Sequence, residues 1–394
     1  MQTPAVPWSD SIRHSIMMTI FTQSFRARLT PGVCAAAALC WALTLSAHEA
    51  GQAHEHETFP AVHLLPTLIE NRGPMKLKPS ATAGSLTGQG YWRFEAMKGL
   101  MPLPEEIRPR VPGAHGTLVV DGERDLVYWG LEQVGWVAFS DRLTQSRVVA
   151  GDPVFGRGNL HGADLLKRRG KAPLVAVADN VEGEVYLSDT TFARAQVLGL
   201  PLQGYEDGKG FNPTDVAFVG KDAVMITDGY GKAFFMPATV EPFAYDGAIH
   251  GGKAVSQTPH GITSDDGGKT LLFSARPEGQ IKRWSPKKDR WLETLGLPAG
   301  STVCDVDLWG DYALAPCLNG PDQTPGPVYI VHMKKRAIVS VLRPKVDLGY
   351  AEAQHIHDAA WYVIERGPNK GIYVLFTSWN PGGVGVMQCV GVGM

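Results

Sequence analysis

A repeated unit constrains the fold of this chain more than any other feature of its sequence. Six stretches share the order of an entry residue, a strand, a turn and a second strand, as in "PHGITSDDGGKTLLFSARPEG". Their entry residues are His115, His161, Thr214, His260, Cys304 and His357. The steps between them are 46, 53, 46, 44 and 53 residues. This spacing is typical of a four-stranded blade, so the sequence predicts an all-β, six-bladed β-propeller.

Composition agrees with many short strands and excludes some partners. The 45 glycines and 28 prolines supply the turns that such a fold needs. A formal net charge of −2 gives no reason to expect a nucleic-acid partner. We predict a monomer.

The N-terminal segment has the pattern of a secretory signal. Arg26 and Arg28 precede an apolar run from Val33 to Leu45, and the small residues Ser46 and Ala47 follow. The run is too short for an ordinary membrane span, so we predict no span and an exported, periplasmic or extracellular protein. The predicted division is a signal peptide at 1–47, an irregular His- and Pro-rich extension at 48–110, and the propeller at 111–394.

Export into an oxidising compartment would permit disulfides. Cys304 and Cys317 are close enough in sequence to bridge neighbouring strands. The odd number of cysteines in the mature chain leaves this pairing open. His48, His54 and His56 form a second histidine cluster, for which a polar tail is favoured over a metal site.

The histidines at the entry positions predict a metal site. His161, His260 and His357 lie in alternate units, 99 and 97 residues apart. In a six-bladed ring alternate units are related by about 120°, so the three imidazoles would converge at one mouth of the channel. Three protein ligands with a fourth position free for water or substrate are typical of catalytic zinc. The alternative is a set of solvated channel residues. His115 has the same phase, and its role as a neighbour of the metal, a substrate contact or a mouth residue stays open.

Two sequence blocks resemble a known family. "FNPTDVAFVGKDAVMITDGYGKAFF" and "PHGIT…FSARPEGQIKRW" are similar to the peptidyl-α-hydroxyglycine α-amidating lyases, six-bladed propellers of the NHL-repeat type. The likeness runs from about Gly158 to Met387. It implies that the zinc ligands are His161, His260 and His357.

The resemblance also implies roles for four further residues. Tyr230 matches a catalytic tyrosine in the Asp-Gly-Tyr turn, and Arg276 matches an active-site arginine. A structural calcium would use the carboxylate of Asp358 and the backbone carbonyl of Ala163.

The implied reaction cleaves a carbinolamide N–C bond to an amide and glyoxylate. Zinc would act as a Lewis acid on the hydroxyl. A tyrosine with a lowered pKa would take the proton, and an arginine would match the carboxylate of a small-molecule or peptide substrate.

The sequence departs from the family pattern at two places. The family has a further active-site arginine in its first blade, but "LVYWGLEQVGWVAF" contains none. Arg157, just before His161, is a candidate substitute, for which the sequence gives no further support. His355 and Ile356 stand where Met-Pro is usual. Two other classes therefore remain open: a calcium-dependent lactonase-type propeller hydrolase, and a non-catalytic NHL-repeat binding propeller.

Overall fold

The structure, a computed structural model, describes residues 63–64, 86–265, 267–366 and 370–391. The predicted signal peptide and the cluster of His48, His54 and His56 lie outside these residues. Six small sheets follow one another around a ring, so the predicted six-bladed β-propeller is confirmed. Within the described residues, no helix reaches the length and hydrophobicity of a membrane span.

Each of the first four blades is built from consecutive strands. Ahead of them lie three strands that join later sheets: β1 (His63–Leu64), β2 (Thr87–Gln89) and β3 (Trp92–Ala96). Blade 1 contains β4 (Leu118–Asp121), β5 (Leu126–Leu131), β6 (Gly135–Ser140) and β7 (Gln145–Val148). Blade 2 contains β8 (Leu160–Leu166), β9 (Leu174–Asp179), β10 (Glu184–Asp189) and β11 (Gln196–Leu198). Blade 3 contains β12 (Asp215–Val219), β13 (Ala223–Thr227), β14 (Phe234–Thr239), β15 (Ala244–Tyr245) and β16 (His250–Gly251). Blade 4 contains β17 (Pro259–Asp265), β18 (Thr270–Ala275), β19 (Gln280–Ser285) and β20 (Arg290–Gly296).

The last two blades recruit strands from the N-terminal side of the chain. Blade 5 contains β21 (Asp307–Trp309), β22 (Tyr312–Pro316), β23 (Val328–His332) and β24 (Ala337–Leu342), and β1 pairs with β24 in parallel. Blade 6 contains β25 (His355–Ile364), β26 (Gly371–Asn380) and β27 (Gly383–Cys389), followed outward by β3 and β2. Residues 87–96 therefore form regular strands within the stretch for which the sequence predicts an irregular extension.

Among the residues that the structure describes, helical structure is confined to short segments between or beside the blades. The α-helix α1 spans Pro344–Leu348, between blades 5 and 6. The 3₁₀ helices are Glu105–Arg110, Pro153–Gly156, Pro286–Lys288 and Pro321–Gln323.

The middle strands of each blade are apolar on both faces because each blade packs between two others. Successive side chains of a strand point to opposite faces. Val127 and Trp129 of β5 accordingly pack against blade 6, whereas Tyr128 packs against blade 2. In the described part of the chain, the hydrophobic core is divided in this way into six clusters, one at each interface between neighbouring blades.

The innermost strands line the channel. Each of β4, β8, β12, β17 and β21 contacts the next, and β25 contacts both β21 and β4, which closes the ring. The entry residues thus lie at one end of the channel, at or just before the first residues of these strands.

Candidate metal centre

Three entry histidines stand at irregularities in the inner strands. The pairing register shifts between Leu160 and Gly162 around His161, between Pro259 and Ile262 around His260, and between Ile356 and Asp358 around His357. The inner strand pairs of the other three blades have no such shift. A β-bulge re-aims the side chain that it carries, so these three strands turn their histidines out of the regular alternation.

The three imidazoles converge inside the channel. Ring centroids of His161 and His260 lie 4.8 Å apart, those of His161 and His357 4.6 Å apart, and those of His260 and His357 5.0 Å apart. Each residue is 2–3% exposed. The structure therefore brings together the three residues that the sequence predicts as zinc ligands.

Backbone carbonyls of the following blades orient two of these rings. Nδ1 of His161 lies 2.7 Å from the carbonyl oxygen of Thr214, and Nδ1 of His260 lies 2.7 Å from that of Cys304. A carbonyl only accepts, so each Nδ1 carries the hydrogen and each Nε2 presents a lone pair. Metal-binding histidines are commonly fixed in this way by a carbonyl on the second nitrogen.

Glycines after two of the histidines permit these contacts. A Cβ at Gly162 would fall against the carbonyl oxygen of Thr214, and a Cβ at Gly261 would lie 2.8 Å from that of Cys304. Any larger residue would push the next blade away. The His-Gly pairs in the sequence are thus a local requirement for close packing between inner strands.

Tyr230 and Arg276 complete the cluster on the mouth side. The hydroxyl of Tyr230 lies 2.8 Å from Nε2 of His260 and 3.2 Å from Nε2 of His161. Nη1 of Arg276 donates to the same oxygen at 2.7 Å. The hydroxyl of Tyr230 has one proton and can donate it to Nε2 of His161 or of His260, but not to both. The other Nε2 therefore has no donor in this contact, and a bound cation would satisfy its lone pair.

A tightly held turn positions Tyr230 after β13. The buried carboxylate of Asp228 accepts from the backbone N–H of Asn212 and of Lys232, both at 2.6 Å. A Cβ at Gly229 would lie 2.6 Å from the carbonyl oxygen of Pro259. The Asp-Gly-Tyr sequence therefore fixes the turn and leaves Tyr230 36% exposed above the histidines.

Burial sets the protonation of the site. It lowers the pKa of His161, His260 and His357 well below the usual value, and neighbouring charged groups add to this. The imidazoles are neutral and their lone pairs available. Burial also raises the pKa of Tyr230, while Arg276 acts in the opposite direction. The sequence leads to the expectation of a lowered pKa for Tyr230, but the protein groups around it, taken alone, raise that pKa.

The donor set fits a divalent transition metal. Both ring nitrogens of His357 are buried and have no hydrogen-bond partner among the described residues. An unpaired buried polar atom is costly, and a metal ion bound to one of these nitrogens would reduce that cost. Neutral imidazole is a ligand for zinc, copper, iron and nickel.

His115 also lies at this cluster. Its ring centroid is 5.2 Å from that of His161 and 4.9 Å from that of His357. Ring nitrogens of these three residues all lie within 4.8 Å of one another. The sequence places His115 at the right phase but leaves its role open.

A cavity of about 330 Å³ lies along the channel, lined by the three predicted zinc ligands and by Asp358 and Ala163. Five aspartates line it: Asp164, Asp215, Asp305, Asp307 and Asp358. Most of them connect neighbouring inner strands. Asp215 accepts from the N–H of Ile262 at 2.7 Å, and Asp358 accepts from that of Leu118 at 2.6 Å. Carboxylates suit calcium, but these oxygens also hold the ring together.

Other predicted or neighbouring residues lie outside the cluster. Arg157 contacts Glu184 and Tyr186 of its own blade. His355 contacts the carbonyl oxygen of Leu318 at 3.0 Å. Cys304 and Cys317 are both buried and free, so the disulfide that the sequence left undecided is not formed in this structure.

Trp379 is a mouth residue for which the sequence gives no signal. It lies near the end of β26, outside the phase of the entry residues, and is 39% exposed. Its ring is 5.9 Å from that of His115 and 6.0 Å from that of His355.

Comparisons with known proteins do not assign this chain to a family. No protein-family model matches it, and no curated protein sequence matches it. A solved structure, hydrazine synthase of Kuenenia stuttgartiensis, is similar with a TM-score of 0.39 and 11% sequence identity. The match covers 52% of this chain and 53% of that one, so the chain spans about half of the structure it resembles. This similarity is too low to indicate a shared activity.

Proposed function

We propose that the protein is a zinc-dependent lyase that cleaves a carbinolamide N–C bond, giving an amide and glyoxylate. One observation carries the proposal: three buried, neutral imidazoles converge beside a tyrosine hydroxyl that an arginine also contacts. The resemblance of the surrounding sequence to the α-amidating lyases supplies the reaction. His161, His260 and His357 would hold the ion, which acts as a Lewis acid on a substrate hydroxyl.

Tyr230 would carry the proton. In the reaction the substrate O–H and C–N bonds break, the C–O bond becomes a carbonyl, and the amide nitrogen gains a proton. A phenolate at Tyr230 would take the hydroxyl proton and return it to the nitrogen. Arg276, 2.7 Å from that oxygen, stabilises the phenolate form.

Arg276 would also contact the substrate carboxylate. Guanidinium groups bind carboxylates through paired N–H donors. The substrate carries a carboxylate that is retained in the product glyoxylate. The mouth position of Tyr230 and Arg276 leaves their outer sides accessible to a small molecule or a peptide end.

The first test is Tyr230→Phe. Removing a positioned general base costs about 10²–10⁴-fold in rate, so glyoxylate release from a peptidyl-α-hydroxyglycine should fall by about that factor. Zinc content, measured by elemental analysis, should stay at that of the unaltered protein because the three histidines remain. The matched control is Tyr91→Phe, since Tyr91 is 79% exposed and lies outside the described site.

Two results would contradict the proposal. One is a purified, zinc-loaded protein that releases no glyoxylate from peptidyl-α-hydroxyglycines or from smaller α-hydroxyglycine amides. The other is zinc content unchanged by Ala at His161, His260 or His357, which would place any metal elsewhere.

A calcium-dependent hydrolase is the second candidate because five aspartates line the cavity. Calcium prefers such oxygen ligands. A protein that binds calcium but no zinc and hydrolyses lactones would favour it. In the lyase, we propose that Asp358 and the Ala163 carbonyl hold a structural calcium.

A further inference from the structure

The histidine cluster contains one more imidazole than the proposed lyase requires. Two triangles of rings share the edge between His161 and His357. His260 completes one triangle and His115 the other, with centroid distances of 4.6–5.2 Å along their sides. The nitrogens that approach within 4.8 Å as a group of three are those of His115, His161 and His357.

His115 has the properties of a ligand. Its Nδ1 is buried and has no hydrogen-bond partner among the described residues. Tetrahedral bonds of about 2.0–2.1 Å place nitrogens about 3.4 Å apart, so ring movements of about 1 Å would bring the group to bonding distance.

The position of His115 indicates from which side it would approach a bound metal. His161, His260 and His357 line the cavity, whereas His115 does not. It lies beside the exposed Trp379 at the mouth. This is the side on which Tyr230 and Arg276 lie, where a three-histidine site would leave its fourth position for water or substrate.

We propose that His115 is a fourth imidazole ligand, which fills the coordination position left by the other three and must leave it before a substrate binds the metal. This rests on the proposed three-histidine centre and adds a means of regulating it. A four-nitrogen site binds metal more tightly but resists small external ligands. A site without the fourth imidazole is open to them.

Cobalt(II) and azide provide the test, because bound cobalt(II) reports its ligands by visible absorption. In the unaltered protein azide should leave the cobalt spectrum unchanged. His115→Ala should alter the spectrum, let azide bind, and weaken cobalt binding by about 10–100-fold or more, since loss of even an outer partner of a ligand costs that much. His115→Gln, which keeps the side-chain volume, should behave in the same way.

His355→Ala is the matched control, because His355 is a half-buried mouth histidine bonded to the carbonyl oxygen of Leu318. It should leave the spectrum, the affinity and the azide response unchanged. Circular dichroism checks that each variant is folded.

Three outcomes decide the proposal. Changes confined to the His115 variants support it. If His115→Ala keeps the cobalt spectrum and the cobalt affinity while His357→Ala loses cobalt, the proposal of a fourth ligand is wrong. The proposed three-histidine centre is then retained. Absence of cobalt and zinc binding in the unaltered protein overturns both proposals.

Discussion

The residue that follows each entry position determines how two neighbouring inner strands meet. In blades 1, 2 and 4 it is a glycine, and in blades 3, 5 and 6 it is an aspartate. The two types are complementary where they adjoin. A Cβ at Gly261 would lie 2.5 Å from Oδ1 of Asp305 in the next blade. The same glycine lets the Cys304 carbonyl reach His260, so packing and imidazole orientation depend on one missing methyl group.

Gly261→Ala should therefore damage both stability and the metal site. Overpacking typically costs about 1–3 kcal/mol, and displacement of the Cys304 carbonyl should loosen the orientation of His260. Thermal unfolding and zinc content measure the two effects. Gly122→Ala is the control, because a Cβ there would meet nothing within 4 Å. Equal stability and equal zinc content in the two variants would refute this account of the His-Gly pairs.

At the scale of elements, blade 6 closes the ring with chain from both sides of the propeller. β27 near the C-terminal end pairs with β3, and β3 pairs with β2. Phe94 of β3 is fully buried in the cluster between blades 5 and 6, together with Phe376 and Met387. Residues 87–96 are thus part of the core rather than an appendage to it.

Phe94→Ala should destabilise the fold by about 3–5 kcal/mol, as expected for a fully buried phenylalanine. Tyr91→Ala, three residues earlier and 79% exposed, should change the free energy of unfolding by no more than about 0.5 kcal/mol. Urea unfolding followed by circular dichroism compares them. Similar midpoints for the two variants would show that β3 does not contribute to the core.

At the scale of the whole molecule, the ring gives the channel two different ends. The converging histidines separate a mouth that carries Tyr230, Arg276 and Trp379 from a cavity lined by aspartates. Closed contact between all six inner strands holds this division in place. The site is therefore a property of the complete ring, because its three predicted zinc ligands come from blades 2, 4 and 6.

Export of the protein is a prediction that rests on the N-terminal segment, which lies outside the residues that the structure describes. We expect protein recovered from the periplasm or medium to begin at or near His48, because the apolar run ends with small residues there. N-terminal sequencing of the recovered protein tests this. Recovery of the uncleaved chain in the cytoplasm alone would contradict it.

The sequence determined the fold class and predicted which three histidines would converge, because both inferences depend on periodicity. A spacing of 44–53 residues between entry positions gave the blades, and His161, His260 and His357 share one phase in alternate blades. Tyr230 was marked by the resemblance to the α-amidating lyases, whose catalytic tyrosine it matches. The spacing of the entry residues repeats along the chain and so requires no knowledge of distant contacts.

Tertiary structure alone decided how the parts meet. The pairing of β3 with β27 joins residues almost 300 positions apart, and no local pattern in residues 87–96 specifies that partner. The inclusion of His115, the approach of Trp379 and the raised pKa of Tyr230 likewise depend on burial and on ring closure. The physical reason is that a repeat fixes the direction in which each side chain points, whereas distances between side chains and their exclusion from water arise only when all six blades pack together.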